Sequence, residues 1–221
     1  METEQLIQSL ARHAEPVPRL AHPAWRAMIW MFVSVIYLAL VVVAIGVRPD
    51  FAEKLQEPRF VIEVSAALLT SIMAAAAAFC AGCPARPLWE RFAPLPFLAV
   101  WFATLGEGCW RQWVQFGLDG SLDVDLQCFQ NILALSLLPA ILIYSMIRRG
   151  APIAPMLTTG LATLAAAALG AAALRILYEQ DASLMLLVWQ FGSVISLAGL
   201  GLLLGRSLLR WTLPKLRPSN G

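Results

Sequence analysis

The sequence TTGLATLAAAALGAAALRIL, residues 158–177, is twenty residues long, and its single charged residue is Arg175 near the end. An α-helix rises 1.5 Å per residue, so about twenty apolar residues cross the roughly 30 Å of hydrocarbon in a bilayer. Small side chains let neighbouring helix backbones approach closely. The stretch therefore predicts a membrane-crossing helix at the centre of a bundle. The alternative is that its alanines reflect a biased genome rather than helix packing.

The composition of the whole chain agrees with a membrane protein. Of 221 residues, 59% are hydrophobic and 14% are charged, whereas soluble domains carry about 25% charged residues. The mean hydropathy is +0.71. A β-barrel would show segments of about ten residues with alternating polarity, and the sequence has none. We predict an all-α integral membrane protein. The net charge of +2 and the lack of a basic run argue against nucleic acid as a partner.

Six apolar segments of about twenty residues follow one another along the chain, and charged residues or prolines separate them. Each is long enough to cross a bilayer as a helix. We therefore predict a six-transmembrane-helix bundle. The six predicted spans cover residues 27–47, 60–82, 94–113, 129–147, 155–177 and 183–204.

The distribution of positive charge predicts the orientation of these spans. Six spans place both termini on the same side, and eleven of the sixteen Lys and Arg residues fall on that side. The positive-inside rule assigns it to the cytoplasm. We expect a cytoplasmic N-terminal segment at 1–25, a six-helix transmembrane domain at 26–205 and a cytoplasmic tail at 206–221. The five basic residues that we place outside are Arg48, Lys54, Arg59, Arg111 and Arg175.

Ionisable residues inside a membrane are the first candidates for function, and this chain has few. Glu63 lies about one turn inside the outer end of span two, and Glu107 lies near the outer end of span three. Glu107 and Arg111 are four residues apart, so they share a helix face and can pair. No span has a charge near its midpoint, which argues against an ion-coupled or proton-coupled transporter.

The chain has four cysteines, and two of them form a C-x-x-C pattern, Cys80 and Cys83, at the predicted inner end of span two. We interpret this pair as small apolar residues at a helix end, because no βαβ pattern surrounds it. A metal site at this pair is still less favoured, because no histidine lies nearby. Both histidines, His13 and His22, lie in the N-terminal segment.

The other two cysteines, Cys109 and Cys128, lie at the ends of an acidic loop on the predicted outer side. Outside a bacterial cell, thiols can form disulfides. A disulfide would join the outer ends of spans three and four, and the thiols and acids of the loop could instead hold a soft metal ion. The remaining alternative is two unrelated buried thiols. We name Cys109 and Cys128 as candidate sensing residues.

The N-terminal segment, residues 1–24, is polar, so we do not expect a cleaved signal peptide. Leu6, Ile7, Leu10 and Ala14 fall on one face of a short predicted helix, which prolines end. Such an apolar stripe fits a helix that binds in the groove of a soluble partner. The alternative is a helix that lies on the membrane surface.

Four stretches together resemble the NrsF family of bacterial membrane proteins over nearly the whole chain. They are LIQSLARHAEPVPRL at 6–20, GVRPDF at 46–51, RRGAPIAP at 148–155 and DASLMLLVWQFG at 181–192. The resemblance implies a six-span protein of the bacterial inner membrane that acts as an anti-sigma factor. Such a protein would sequester an extracytoplasmic-function sigma factor and release it on an envelope, heavy-metal or redox signal.

The resemblance also implies roles for particular residues. It assigns partner binding to the cytoplasmic head, namely Leu6, Ile7, Leu10, Pro16, Pro18, Arg19 and Leu20. It assigns sensing to outer cysteines, and Cys128 matches the one before span four. The family places another cysteine before span six, where this chain has Tyr178-Glu179-Gln180. Either Cys109 substitutes for it, or redox sensing is absent.

Two other function classes compete with the regulator. A membrane thiol–disulfide oxidoreductase would also use outer cysteines, but its C-x-x-C usually faces outward, whereas the pair here is predicted to face inward. A small carrier for a neutral solute is also compatible with uncharged span centres. The sequence contains no nucleophile–base set, P-loop or H-E-x-x-H motif, so we expect no enzyme activity and no cofactor. The expected partners are the sigma factor and the lipid bilayer.

Overall fold

A computed structural model describes residues 7–8, 21–82, 87, 89–116, 126–150 and 154–177, together with 192, 195–196, 199–200 and 203. Within these residues the chain is helical and contains no strand, which confirms the all-α class. Two single-turn helices, Phe51–Lys54 and Trp89–Phe92, lie between longer ones. The five long helices are α1 (Pro23–Ile45), α2 (Pro58–Ala81), α3 (Leu95–Phe116), α4 (Leu126–Arg148) and α5 (Pro155–Leu177).

The five long helices match the first five predicted spans to within a few residues, and α5 has the predicted bounds. Prolines begin α1, α2 and α5. Proline is favourable there because the first turn of a helix does not use its N–H groups, so the missing donor costs nothing. The sixth predicted span lies largely outside the described residues, and those of its residues that are described are helical.

The centre of the bundle is the pair formed by α2 and α5. The alanine-rich α5 is buried along most of its length, and so is the alanine-rich half of α2. The Ser71 hydroxyl of α2 donates a buried hydrogen bond of 2.8 Å to the Ala165 carbonyl of α5. The prediction that residues 158–177 form a helix at the centre of the bundle is therefore confirmed, because small side chains allow this close approach.

Two clusters of buried apolar residues flank this central pair. In one cluster, α1 and α4 pack against α2 and α5, with Trp30 and Ile143 among the contributing residues. In the other, Trp101 and Leu105 of α3 pack against alanines of α2 and α5. Thus α3 occupies a different face of the central pair from α1 and α4.

Apolar side chains cover the outside of the bundle. Along α1, Met28, Phe32, Leu40 and Val43 are all largely exposed. Three of the helices, α1, α2 and α5, are long and apolar enough to cross a membrane, and Leu133–Arg148 of α4 is a shorter apolar segment. A soluble protein does not expose so large an apolar surface, so these helices indicate membrane association.

Candidate functional site

Of residues 1–20, the structure describes only Ile7 and Gln8. Both are helical and exposed, and Ile7 is 55% exposed to solvent. A helical, exposed isoleucine at this position is compatible with the predicted apolar stripe. The other predicted partner-binding residues lie outside the described part of the chain. They are Leu6, Leu10, Pro16, Pro18, Arg19 and Leu20.

The N-terminal segment joins the bundle at His22. The His22 imidazole Nδ1 accepts a hydrogen bond of 3.3 Å from the Ala24 backbone N–H. The His22 carbonyl accepts the Arg26 N–H at 3.1 Å. The first contact satisfies one of the backbone donors that a helix start leaves unpaired, and the second is the first hydrogen bond of the helix itself. Together they fix where α1 begins. The sequence identified His22 only as a histidine far from the cysteines, and its role as a helix cap depends on local geometry.

Arg26, near the start of α1, contacts two other helices. Its guanidinium carbon lies 4.6 Å from the centre of the Phe79 ring on α2. Its Nη2 also donates a hydrogen bond to the Met146 carbonyl on α4. The residue is buried, although basic residues at a membrane edge usually face water. The cation–π contact and the hydrogen bond stabilise the charge in place of water. We call Arg26, Phe79 and Met146 the Arg26 contact.

The opposite end of α2 contains a buried ion pair. The Arg175 Nη2 on α5 donates a hydrogen bond of 2.9 Å to the Glu63 Oε2 on α2. The Arg175 Nε lies 2.8 Å from the Glu63 Oε1, an ion-pair contact without hydrogen-bond geometry. The two side chains are only 9% and 2% exposed. Glu63 therefore has a partner 112 residues away in the sequence.

A second arginine and an aromatic ring cover this ion pair. The guanidinium carbons of Arg175 and Arg48 each lie 5.9 Å from the centre of the Phe60 ring. The Arg48 Nε and Nη2 donate to the two carboxylate oxygens of Asp50 at 2.5 and 2.6 Å. We call Arg48, Asp50, Phe60, Glu63 and Arg175 the Arg175 cluster. It joins the loop after α1 to the adjacent ends of α2 and α5.

Asp50 is the most exposed member of the Arg175 cluster. Its side chain is 33% exposed, whereas that of Arg48 is 2% exposed. The hydrogen bonds from Arg48 hold the pKa of the Asp50 carboxyl below its ordinary value, because they favour the charged form. The Arg48 backbone N–H also donates to the Ile176 carbonyl at 3.4 Å, which brings this loop against the end of α5.

The predicted sensing cysteines lie on two helices. Cys109 belongs to α3, and Cys128 is the third residue of α4. These helices pack in different clusters around the central pair. The contacts of the two thiols lie outside what the structure describes, so their pairing stays a prediction. Within the described residues, no group of three or more His, Cys, Asp or Glu side chains is placed to hold a metal ion.

The remaining candidate residues are only partly described. Cys80 is half-buried beside Phe79 near the end of α2, and Cys83 lies outside the described residues. Glu107 is exposed on α3, and the Arg111 side chain is not among those described, so their predicted pairing is untested.

The sequence contained a signal for the Glu63–Arg175 pair that our prediction did not use. Glu63 and Arg175 have opposite charge, and each lies within two turns of a span end on the same predicted side. In adjacent antiparallel helices, two such residues meet if the helices are in the matching register. Sequence alone does not show which helices are adjacent.

Comparison with known proteins gives one family match. No curated protein and no solved structure matches the chain. A family model described as NrsF, negative regulator of sigma F, matches residues 10–211, which is nearly the whole chain. The match includes all five long helices and most of the N-terminal segment. The chain therefore belongs to the NrsF family, the negative regulators of sigma F.

Proposed function

We propose that this protein is a membrane-bound anti-sigma factor that sequesters an extracytoplasmic-function sigma factor at the bacterial inner membrane. The family match over residues 10–211 carries the proposal, because it names a negative regulator of a sigma factor. The exposed apolar side chains of α1 and the three helices long enough to span a bilayer support the membrane location. A regulator of this kind acts by binding rather than by catalysis.

The proposed topology has six spans and cytoplasmic termini. Long-range contacts support alternating helix directions. Arg26, Phe79 and Met146 meet at one end of the bundle, whereas Arg48, Glu63 and Arg175 belong to the cluster at the other end. The excess of basic residues on the side of the termini supports a cytoplasmic location for that side. We divide the chain into a sigma-binding segment at 1–25, a transmembrane domain at 26–205 and a cytoplasmic tail at 206–221.

The proposed binding element is the N-terminal segment. Its apolar stripe would lie in a groove of the sigma factor, which is a common way for a short amphipathic helix to bind a protein. The exposed, helical Ile7 supports this role. The proposed contact residues are Leu6, Ile7, Leu10, Pro16, Pro18, Arg19 and Leu20.

The proposed release signal is an envelope, heavy-metal or redox stimulus that acts on Cys109 and Cys128. Oxidation of the two thiols to a disulfide would transfer two electrons to an external oxidant and release two protons. A thiophilic metal ion would instead displace the thiol protons and bind the two sulfurs. Either event would change how the outer ends of α3 and α4 are held.

The first test is whether the extracytoplasmic-function sigma factor co-purifies with this protein from the membrane fraction. We expect the full chain to retain the sigma factor and a chain without residues 1–24 to lose it. Leu6→Asp and Leu10→Asp should each abolish retention without affecting membrane insertion, because a charge in the stripe opposes burial in an apolar groove. Gln8→Asp is the matched control, since Gln8 is exposed beside the stripe. Retention by the two leucine variants would contradict the proposed binding element.

The second test concerns the outer thiols. Cys109→Ser and Cys128→Ser should retain the sigma factor both with and without a thiol oxidant or cadmium, whereas the wild type should release it when treated. Release from the serine variants at the wild-type dose would show that these cysteines are not the sensing residues.

A further inference from the structure

Helix α2 has an arginine contact at each end. Near its start, Glu63 binds Arg175 of α5, and near its other end, Phe79 lies under Arg26 of α1. The two positions are sixteen residues apart, which is about 24 Å along a helix at 1.5 Å per residue. One rigid element therefore connects the Arg175 cluster with the Arg26 contact.

The Glu63–Arg175 pair is one of the contacts that oppose sliding of α2 along α5. In the cluster that α2 and α5 form with α3, the buried residues of these two helices are all alanines, including Ala66, Ala67, Ala168 and Ala171. Few large side chains of either helix therefore interlock there to fix the axial register. Sliding of packed helices by about 1–2 Å is a common type of regulatory movement. The ion pair and the Ser71–Ala165 hydrogen bond are directional contacts that oppose such sliding.

Burial of two charges is also an expensive way to stabilise a helix pair. Removing each ion from water is unfavourable, and well-packed apolar residues often stabilise a helix pair as much or more. Ionisable residues inside a membrane serve a functional purpose more often than they serve stability alone. The best-attested structural use of a buried ionic contact is to select one register. The Glu63–Arg175 pair has the geometry for this use, because it joins the two central helices near one end.

The Arg26 contact is suited to respond to a shift of α2. Arg26 lies four residues after His22, where the N-terminal segment joins α1. Its guanidinium binds α2 through the Phe79 ring and α4 through the Met146 carbonyl. An axial movement of α2 would displace the ring while α4 stays in place, so the guanidinium would lose one of its two partners.

We infer that α2 transmits the state of the Arg175 cluster to the N-terminal segment. With Glu63 and Arg175 paired, α2 is held in the register that places Phe79 under Arg26 and presents the segment for binding. Without the pair, α2 shifts against α5, Arg26 loses its contact, and sigma-factor retention weakens. The effect on retention rests on the proposed function, whereas the movement at Phe79 can be measured without a partner.

The test uses Glu63→Gln/Arg175→Met in the full chain, a variant that removes both charges and leaves none unpaired. Its matched control is Lys54→Gln/Glu57→Gln, because that ion pair of 2.9 Å is exposed and lies on the same predicted side. The charge-swapped variant Glu63→Arg/Arg175→Glu keeps an ion pair at this position. Thermal unfolding in detergent identifies variants that do not fold.

The alkylation rate of Cys80 measures the packing at the predicted inner end of α2, and the measurement needs no sigma factor. Cys80 is half-buried next to Phe79, so its alkylation rate depends on local packing. In a chain with Cys83, Cys109 and Cys128 replaced by serine, we expect a maleimide to label Cys80 at least about fivefold faster in the charge-free variant. The exposed-pair control and the charge-swapped variant should label within about twofold of the parent. Equal labelling of the charge-free variant and the parent would overturn the inference.

Sigma-factor retention supplies the second measurement. We expect the charge-free variant to bind at least about fivefold more weakly, and Phe79→Leu to weaken binding similarly. Combining these changes should weaken binding no further, because both act on one movement. Additive losses would overturn the inference. If the wild type retains no sigma factor, the proposed function fails, while Cys80 labelling still decides whether α2 couples its two ends.

Discussion

The indole Nε1 of Trp30 on α1 donates a hydrogen bond of 2.9 Å to the carbonyl of Pro139 inside α4. The Trp30 side chain is fully buried, so this polar group has a partner where no water reaches it. The bond connects two helices through the largest side chain of the cluster in which α1 and α4 pack against α2 and α5. It lies on the face of α1 that packs against the bundle, opposite the exposed face.

We expect Trp30→Phe to lower the free energy of unfolding by about 1–3 kcal/mol, because it removes a buried hydrogen bond and leaves a cavity beside the smaller ring. Thermal or denaturant unfolding in detergent would measure the change. Trp25→Phe is the control, since Trp25 is 57% exposed and should change stability by less than about 0.5 kcal/mol. Similar losses in both variants would contradict the role of the hydrogen bond.

Enlarging a central alanine should separate the helices around it. Ala168 of α5 is fully buried in the cluster that α5 forms with α2 and α3. Ala168→Leu should destabilise the bundle by about 1–3 kcal/mol, because close packing leaves no room for the added carbons. Val43→Leu on the exposed face of α1 provides the control, as Val43 is 84% exposed. A stable Ala168→Leu variant would show that this interface is looser than the structure indicates.

Gly46 ends α1 with a φ of 97°, a backbone conformation that other residues rarely adopt. An added Cβ would meet nothing within 4 Å, so Gly46→Ala tests backbone strain alone. We expect a loss of about 1–3 kcal/mol in the free energy of unfolding. Gly106→Ala, in the helical interior of α3 and also with open space, should instead stabilise by about 0.5–1 kcal/mol. Changes of the same sign would contradict this account.

The Arg48–Asp50 pair predicts a dependence of stability on pH. The hydrogen bonds from Arg48 lower the pKa of Asp50 below its ordinary value of 3.8. A lowered pKa means that the carboxylate stabilises the folded state at higher pH, and this contribution disappears as the pH falls through the lowered value. The unfolding temperatures of the wild type and Asp50→Asn should therefore differ by a constant amount from about pH 7 to 5 and converge below about pH 4. Convergence near pH 6 would contradict the assignment.

Hydropathy in the sequence was sufficient to find the five long helices that the structure describes, but not the two single-turn helices between them. The bounds of α5 were predicted from its run of apolar residues, and its central position was predicted from its alanines and glycines. Both are local properties, because the number of consecutive apolar residues decides whether a helix crosses a bilayer and side-chain size decides how closely another helix can approach. The family was also recognisable from short stretches in a fixed order.

The tertiary structure alone decided which residues are partners. Glu63 was a candidate from the sequence, but its contact with Arg175 depends on the register between α2 and α5, and the two residues are 112 positions apart. The burial of Trp30 and Arg26 depends in the same way on the rotation of α1 against α2 and α4. Periodicity and charge identify which side chains are available within one helix. Rotation and register are set by the packing of all the helices together, so they determine which of those side chains meet.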